Sequence, residues 1–202
     1  MPPISMFIEL TDHLRCPADH DESFLVLIPD EMAGRHVVRG TLGCPICQRE
    51  YRIVEQVVEL GKAPVRAPVT AALPDPGAAA LLTLLGLEGP GGYLALVGDV
   101  AGHAAELSSL LPGVHLVLVN PPADTTPAPG TTVVCAAQLP LKRRSVRGLV
   151  LGQPWAMDPA WTEAGAGSVL PGLRLVGTGA VPTTADFELL GTADGWWVGR
   201  RR

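Results

Sequence analysis

Near the middle of the chain stands Tyr93-Leu94-Ala95-Leu96-Val97-Gly98-Asp99-Val100-Ala101-Gly102. The first five residues are all apolar, and this predicts a short strand that is buried on both faces of a sheet. A turn with two glycines follows, and then a helix predicted from about His103 to Leu111. The stretch therefore predicts the strand, turn and helix with which a parallel α/β unit begins.

The same alternation of apolar strands and helices continues on both sides of this stretch. It predicts a mostly parallel sheet covered on both faces, an α/β fold of the Rossmann-like type. The further predicted elements are a helix over Gly77–Leu87, strands over Val114–Val119, Thr131–Cys135, Val146–Leu151 and Leu173–Gly177, a helix over Pro159–Leu170, and a terminal hairpin made of Phe187–Leu190 and Trp196–Gly199.

Before Gly77 the composition changes. Residues 63–76 contain Pro64, Pro68, Pro74 and Pro76, which predicts a linker. Residues 1–62 predict a small β-rich unit, with a short helix or turn over 6–15 and strands over Phe24–Ile28, Arg35–Leu42 and Tyr51–Leu60. We therefore expect two domains, residues 1–62 and residues 77–202, joined by residues 63–76.

The small unit holds three of the four cysteines of the chain, Cys16, Cys44 and Cys47. The C-x2-C pair formed by Cys44 and Cys47 can direct two thiolates at one tetrahedral metal ion, usually zinc. A closed site needs a fourth ligand, and the candidates are Asp19 and His20. We favour His20, because imidazole is the commoner ligand in structural zinc sites, with Asp19 orienting it. Four protein ligands predict a structural zinc ion.

Charge and hydropathy limit the classes of function. The net charge is −5, which is not the overall charge of a nucleic-acid-binding protein, although Lys142–Arg147 and Arg200–Arg202 form two small basic clusters. No apolar stretch approaches the roughly 18 residues of a spanning helix, so we expect no membrane association. We see no secretory signal at the N-terminus, and the clustered cysteines suit a reducing compartment, so we expect a cytoplasmic protein.

The cysteine region resembles a family of small proteins. Leu14-Arg15-Cys16-Pro17, Leu42-Gly43-Cys44-Pro45-Ile46-Cys47 and Tyr51-Arg52-Ile53-Val54 are similar to the zinc ribbons that act as activator subunits of methyltransferases. Those methyltransferases modify tRNA, rRNA and translation release factors. The resemblance implies a zinc ribbon in residues 1–62 and a protein partner, either a methyltransferase or an assembly of the translation machinery.

Residues 77–202 resemble a shortened class I methyltransferase that uses S-adenosylmethionine. The order of elements fits, as do Leu139-Pro140-Leu141 and Leu170-Pro171-Gly172-Leu173-Arg174-Leu175 before two of the strands. The resemblance places the cofactor at Gly98, Asp99 and Gly102 in the loop and at Asn120 after the second strand.

Four departures from the family pattern fall in this one site. Val100 replaces the central glycine of the loop, and the acidic residue of the preceding strand is absent. Asn120 stands where a carboxylate would hold the ribose, and Cys135 where an aspartate would contact the adenine. We therefore expect Gly98, Asp99, Gly102 and Asn120 to be the remnant of a cofactor site and S-adenosylmethionine not to bind.

No other catalytic group emerges, so we expect a non-enzymatic protein. The leading hypothesis is a zinc-binding pseudo-methyltransferase that serves as a binding or scaffolding subunit. One alternative is an active methyltransferase with a divergent cofactor site and a built-in zinc-ribbon activator. Another is a nucleic-acid-binding module that uses Lys142–Arg147 and the C-terminal arginines.

Overall fold

A computed structural model describes residues 6–54, 57–62, 75–125 and 128–202. The described residues form one twelve-stranded sheet with three α-helices. The strands are β1 Met6–Phe7, β2 Val26–Ala33, β3 His36–Gly43, β4 Glu50–Val54, β5 Val57–Leu60, β6 Tyr93–Val97, β7 His115–Val119, β8 Thr131–Ala136, β9 Val146–Leu151, β10 Val169–Thr178, β11 Phe187–Ala193 and β12 Trp196–Arg201; the helices are α1 Gly77–Leu85, α2 Ala104–Leu110 and α3 Pro159–Ser168.

The Rossmann-like part has the strand order β8-β7-β6-β9-β10-β12-β11. Strands β6 to β10 are parallel, and β11 and β12 close the sheet as an antiparallel hairpin. Counted from β6, the parallel strands follow the order 3-2-1-4-5 of doubly wound nucleotide-binding sheets. All five residues of β6 are buried, as its uninterrupted apolar sequence predicts. The predicted α/β fold class is confirmed.

The two faces of this sheet are covered in different ways. Helices α1 and α2 pack on one face, where Leu81 and Leu107 join a core with Leu94 and Leu96. Helix α3 covers part of the other face; it begins at the predicted Pro159, and Asp158 caps it by accepting a hydrogen bond from the Ala160 N–H (2.9 Å). In the described residues of the β7–β8 and β8–β9 connections no helix is present, so the second face needs another cover.

The N-terminal segment supplies that cover. Residues Ile8–His13 form a 3-10 helix after β1, where a short helix or turn was predicted. Its neighbours Met6 and Leu14, together with Leu10, are fully buried in the same core cluster as Ala95 and Val97 of β6. The apolar face of the N-terminal segment therefore lies where a doubly wound fold would place crossover helices.

A parallel backbone ladder joins the N-terminal strands to the Rossmann-like sheet. Strand β5 pairs with β8, with Val57 opposite Val133 and Leu60 opposite Ala136. The predicted strand Tyr51–Leu60 is in fact two strands, because β4 and β5 pair antiparallel to each other. This reversal brings β5 beside β8.

Further contacts follow the seam between the two parts. The Arg15 N–H donates to the Pro140 carbonyl (2.9 Å), and the Lys142 N–H donates to the His13 carbonyl (2.9 Å). The rings of Phe7 and His115 stack with centroids 5.5 Å apart. Burial, and secondarily the nearby His36, lowers the pKa of His115 to about 4.

The predicted division into residues 1–62 and 77–202 stays a prediction, although the two parts share one sheet and one core cluster. Residues 63–74 of the predicted linker lie outside the described residues, and Asp75 and Pro76 directly precede α1. No helix among the described residues is long and apolar enough to span a membrane.

The shared core gives a testable expectation for Leu10, which is fully buried. Replacing Leu10 by alanine should lower the free energy of unfolding by about 2–5 kcal/mol, because it leaves a cavity beneath the sheet. All four tryptophans lie between residues 155 and 197. Their fluorescence during urea unfolding should therefore report the loss in the Rossmann-like part, although the change lies in the N-terminal segment.

Leu110→Ala is the matched control, because Leu110 lies on α2 and is 44% exposed. It should change the free energy by no more than about 0.5 kcal/mol. An unchanged tryptophan transition in the Leu10→Ala protein would show that the two parts unfold independently.

Candidate metal centre and candidate cofactor edge

Four side chains near the N-terminus converge on one point. One ligand atom from each of Cys16, His20, Cys44 and Cys47 lies within 4.8 Å of all the others. The Sγ atoms of Cys16 and Cys47 are 3.7 Å apart, and the Cys44 Sγ is 3.4 Å from the His20 Nε2. Tetrahedral coordination with ordinary zinc–sulfur and zinc–nitrogen bonds places such atoms about 3.8 and about 3.5 Å apart. The spacing of the donors fits a zinc ion.

The turn between β3 and β4 positions Cys44 and Cys47. The Gln48 N–H donates to the Cys44 carbonyl (2.9 Å), and the Cys44 N–H donates to the Arg49 carbonyl (2.9 Å). Gln48 has φ 57°, the left-handed conformation that reverses the chain here. The tight turn places both thiols on the same side, as the C-x2-C spacing predicts.

Cys16 approaches from the loop between the 3-10 helix and β2. Its N–H donates to the Ser23 carbonyl (3.1 Å), and its Sγ lies 3.2 Å from the Tyr51 hydroxyl. The sequence predicted Tyr51 only as part of a strand. In the structure its hydroxyl is placed to stabilise a thiolate at Cys16. A tyrosine several residues after the C-x2-C pair was the only available signal.

The cluster contains His20 and not Asp19, which is exposed. The His20 Nδ1–H donates to the Asp21 carbonyl (2.6 Å), and this bond directs Nε2 towards Cys44. The orienting group is thus a backbone carbonyl, where the Asp19 side chain was predicted. The same hydrogen bond, followed by those to the cysteines, raises the pKa of His20.

The thiols differ in acidity. Burial alone would raise the pKa of Cys44, but the backbone N–H groups of Cys47 and Ile46 stabilise its thiolate and bring the pKa down to about 6. Burial raises the pKa of Cys16, partly offset by the Tyr51 hydroxyl. Since the thiolate is the metal-binding form, the knuckle provides one thiol that is already acidic.

The candidate cofactor edge lies where β6, β7 and β8 end. Gly98 keeps the positive φ of a turn, 77°, but a Cβ there would collide with the Gln153 carbonyl oxygen. The side chain of Asp99 accepts a hydrogen bond from the Gln153 N–H (2.8 Å), and the Asp99 N–H donates to the Gln153 carbonyl (3.0 Å). Burial raises the pKa of Asp99, and hydrogen bonds to its carboxylate from the backbone N–H groups of Gln153, Val100 and Asp99 itself act against that rise. The loop is therefore bonded to the segment that follows β9.

Val100 and Gly102, the other two loop residues, differ in burial. Val100 is 4% exposed and belongs to the core beneath α1 and α2, so the residue that replaces the central glycine has a packing role. Gly102 has no neighbouring atom within 4 Å of where a Cβ would stand. Of the loop residues predicted to contact the cofactor, Gly98 is buried, whereas Asp99 and Gly102 are exposed.

Asn120 is bonded to the end of β8. Its side-chain oxygen accepts from the Ala136 N–H (2.8 Å), and its amide nitrogen donates to the Ala136 carbonyl (2.9 Å). Asn120 is 9% exposed and has φ 48°, which asparagine tolerates better than most residues. The side chain that was predicted to face the ribose thus joins β7 to β8.

Cys135, at the predicted adenine position, lies on β8 opposite Glu59 of β5. Burial, and then the Glu59 carboxylate, raises the pKa of this thiol.

The sequence did not indicate that Gln153 and Ala136 would be the partners of the predicted cofactor residues, because both partners act through the backbone.

No protein-family profile and no curated protein matches the sequence. Among solved structures, the chain is similar to the antibiotic-resistance methyltransferase Kmr at 16% identity and TM-score 0.44, over 67% of this chain and 95% of that one. It is also similar to a geranyl diphosphate methyltransferase at 19% identity and TM-score 0.42, over 50% of this chain and 42% of that one.

A third similar structure is phosphoethanolamine N-methyltransferase 2 from Haemonchus contortus, at 15% identity and TM-score 0.42. The match covers 57% of this chain and 29% of that one. The chain thus spans less than half the length of the second and third structures.

The Asn120 pairing predicts the effect of restoring a carboxylate. Asn120→Asp replaces the amide that donates to the Ala136 carbonyl by an oxygen, so a buried acceptor loses its donor and faces a negative charge. The free energy of unfolding should fall by about 1–3 kcal/mol. Urea unfolding measures the change, and Gln138→Glu, an exposed position on the following loop, is the control that adds the same charge. An Asn120→Asp protein as stable as the native one would contradict the pairing.

Proposed function

We propose that the chain is a zinc-binding, methyltransferase-shaped subunit that does not transfer methyl groups and acts by binding a protein partner. The observation that carries the proposal is the internal pairing of Asp99 and Asn120. Both polar side chains that would hold the cofactor bond to backbone groups of the protein itself. A ligand that used Asn120 would compete with the bonds that connect β7 to β8, and one that used Asp99 would share its carboxylate with the Gln153 N–H.

Zinc is the metal that suits the N-terminal cluster. Three thiol sulfurs and one imidazole nitrogen are typical of structural zinc, and their spacing leaves no position for a water ligand. We assign Cys16, His20, Cys44 and Cys47 as the ligands. The ion would hold the β3–β4 turn against the segment around Cys16, and so stabilise the adjoining ends of β3 and β4.

Metal analysis tests this assignment. Purified protein should contain about one zinc ion per chain, and Cys44→Ser should lose it because three ligands hold the ion far more weakly. Cys135→Ser is the matched control, since Cys135 lies on β8, outside the cluster. A chelator should lower the melting temperature of the native protein and of the control. A Cys44→Ser protein that kept its zinc would refute the site.

S-adenosylmethionine does not fit the candidate cofactor edge. Gly98 is packed against Gln153, Val100 is in the core, and Asn120 brings no charge for the ribose hydroxyls. The alternative, an active methyltransferase with a divergent site, is supported by the positive φ retained at Gly98 and the open space at Gly102. We therefore assign no catalytic residue.

Calorimetry separates the two functions. The native, zinc-loaded protein should give no saturable heat with S-adenosylmethionine or S-adenosylhomocysteine up to about 1 mM, which corresponds to a binding free energy weaker than about −4 kcal/mol. A dissociation constant in the micromolar range, weakened by Gly102→Leu at the open loop position, would establish the alternative. Heat that Gly102→Leu left unchanged would place the ligand elsewhere and leave this edge non-binding.

A binding role is also supported by an apolar strip on β2. Val26 and Ile28 lie at alternate positions of the edge strand β2 and are 46% and 58% exposed, and Phe24, two residues before β2, is 55% exposed. Exposed apolar side chains grouped in this way are typical of contact surfaces. We propose a protein partner, a methyltransferase or a component of the translation machinery, in the cytoplasm, where thiols stay reduced.

A further inference from the structure

A group of arginines lies at the opposite edge of the sheet, where β9 and β10 begin and β12 ends. The turn over residues 142–145, between β8 and β9, bonds to the residues before β10. The Arg144 N–H donates to the Gly167 carbonyl (3.0 Å), and the Ser145 N–H donates to the Ser168 carbonyl (2.8 Å). The Arg201 Nη1 donates to the same Gly167 carbonyl. Two arginines are thus fixed to one peptide group.

Arg201 carries a buried charge. It is 2% exposed, and its Nη1 also donates to the Val169 carbonyl (3.2 Å). The carboxylate that it faces, Asp186, is 4.0 Å from Nη2 and is itself 64% exposed. Burial, and then Arg143 and Arg144, lowers the pKa of Arg201. Carbonyl dipoles and one distant, hydrated carboxylate therefore stabilise a charge that has two cationic neighbours.

The side chains of Arg143 and Arg144 are exposed beside this buried charge. The Arg143 N–H donates to the Glu22 carboxylate (3.0 Å), and Arg144 has φ 54°, so the backbone holds both residues in place. Within the part of the chain that the structure describes, neither guanidinium donates a hydrogen bond or forms an ion pair. A Cβ on Gly167 would lie 3.8 Å from the Arg143 Nη1, so this guanidinium is next to the glycine that binds Arg201.

The local charge is opposite to that of the whole chain. Among the described residues, the Glu22 carboxylate contacts the Arg143 N–H and the Asp186 carboxylate contacts Arg201, while Lys142 donates to the Asp12 carbonyl; the chain as a whole has a net charge of −5. Positive charge concentrated on an acidic protein attracts anions to that region. Guanidinium groups bind phosphate through paired, nearly parallel hydrogen bonds, and the free oxygens of one phosphate group, two in a diester and three in a terminal phosphate, can bridge two of them.

We propose that Arg143 and Arg144, above the buried Arg201, form a site for a phosphate group. The phosphodiester backbone of RNA and a free phosphate compound would supply the same chemistry, so the experiment must distinguish these two sources. The site is at the edge of the sheet opposite Asp99 and Asn120 and uses none of the zinc ligands. Its test is therefore independent of the result with S-adenosylmethionine or zinc.

The test compares two charge-matched double variants in the full-length, zinc-loaded protein. Arg143→Gln/Arg144→Gln removes the two exposed guanidinium groups. Arg39→Gln/Arg52→Gln removes two exposed arginines from β3 and β4 and is the control. The probes are pyrophosphate, followed by calorimetry, and a labelled single-stranded oligouridine of about 12 nucleotides, followed by fluorescence anisotropy at several salt concentrations between about 50 and 200 mM.

The native and control proteins should bind at least one probe, and Arg143→Gln/Arg144→Gln should bind it at least about tenfold more weakly. If RNA is the source, the slope of log K against log salt should become shallower by about 1.4 in that variant, since each lost phosphate contact contributes about 0.7. Pyrophosphate binding without oligouridine binding would identify a free phosphate ligand.

Three results would overturn the proposal. The first is that the native protein binds neither probe, and the second is an equal loss of affinity in the two double variants. The third is an equal affinity for an oligoglutamate peptide, because it would show attraction to any polyanion and no site for phosphate. Unfolding in urea should be nearly the same for all three proteins, since the Arg143 and Arg144 guanidinium groups make no hydrogen bond within the described residues and the Arg39–Glu31 ion pair of the control is exposed.

Discussion

The pairing of β5 with β8 determines how the rest of this molecule is arranged. Strand β8 would otherwise be the edge of the parallel sheet, with a row of unpaired backbone N–H and carbonyl groups. Strand β5 satisfies them, and the reversal between β4 and β5 brings the other N-terminal strands into the same sheet. With this ladder formed, the segment from Met6 to Leu14 can lie on the face that no described crossover helix covers. The N-terminal part thus extends the sheet and also packs on one of its two faces.

The two candidate sites differ in where their polar atoms are directed. At the candidate metal centre, four donors from two separate stretches of chain, residues 16–20 and 44–47, converge on one point and lie within 4.8 Å of one another. At the carboxyl edge of the sheet, Asp99 and Asn120 are directed sideways, to backbone groups of the adjacent strand ends. Side chains that converge on a common point favour a ligand, whereas side chains that satisfy neighbouring peptide groups favour a rigid edge. This contrast separates the two sites physically.

Features that depend on local sequence patterns were predicted better than features that depend on contacts between distant residues. The bounds of β6 and β9 agree with the predicted Tyr93–Val97 and Val146–Leu151, because an apolar run between turns specifies a buried strand without reference to its neighbours. The proximity of the Cys44 and Cys47 thiols was predicted because C-x2-C geometry is local, whereas His20 was chosen over Asp19 from ligand chemistry. The burial of Leu10, the pairing of β5 with β8, and the contact of Asn120 with Ala136 depend on residues far apart in the sequence. The sequence does not reveal such contacts, because nearly every residue has the same backbone N–H and carbonyl groups and no local pattern shows which of them will be bonded.

Strands β5 and β8 belong to the same chain, and this affects how stable their pairing can be. A parallel pairing of four residues is weak between separate molecules, because association costs translational and rotational freedom. In one chain, the pairing of β5 with β8 is intramolecular, so this loss of freedom is smaller. A ladder too weak to hold two proteins together can therefore persist within one. If the two parts were separate proteins, they would need a larger or more apolar contact for the same fraction of β5 to be paired with β8.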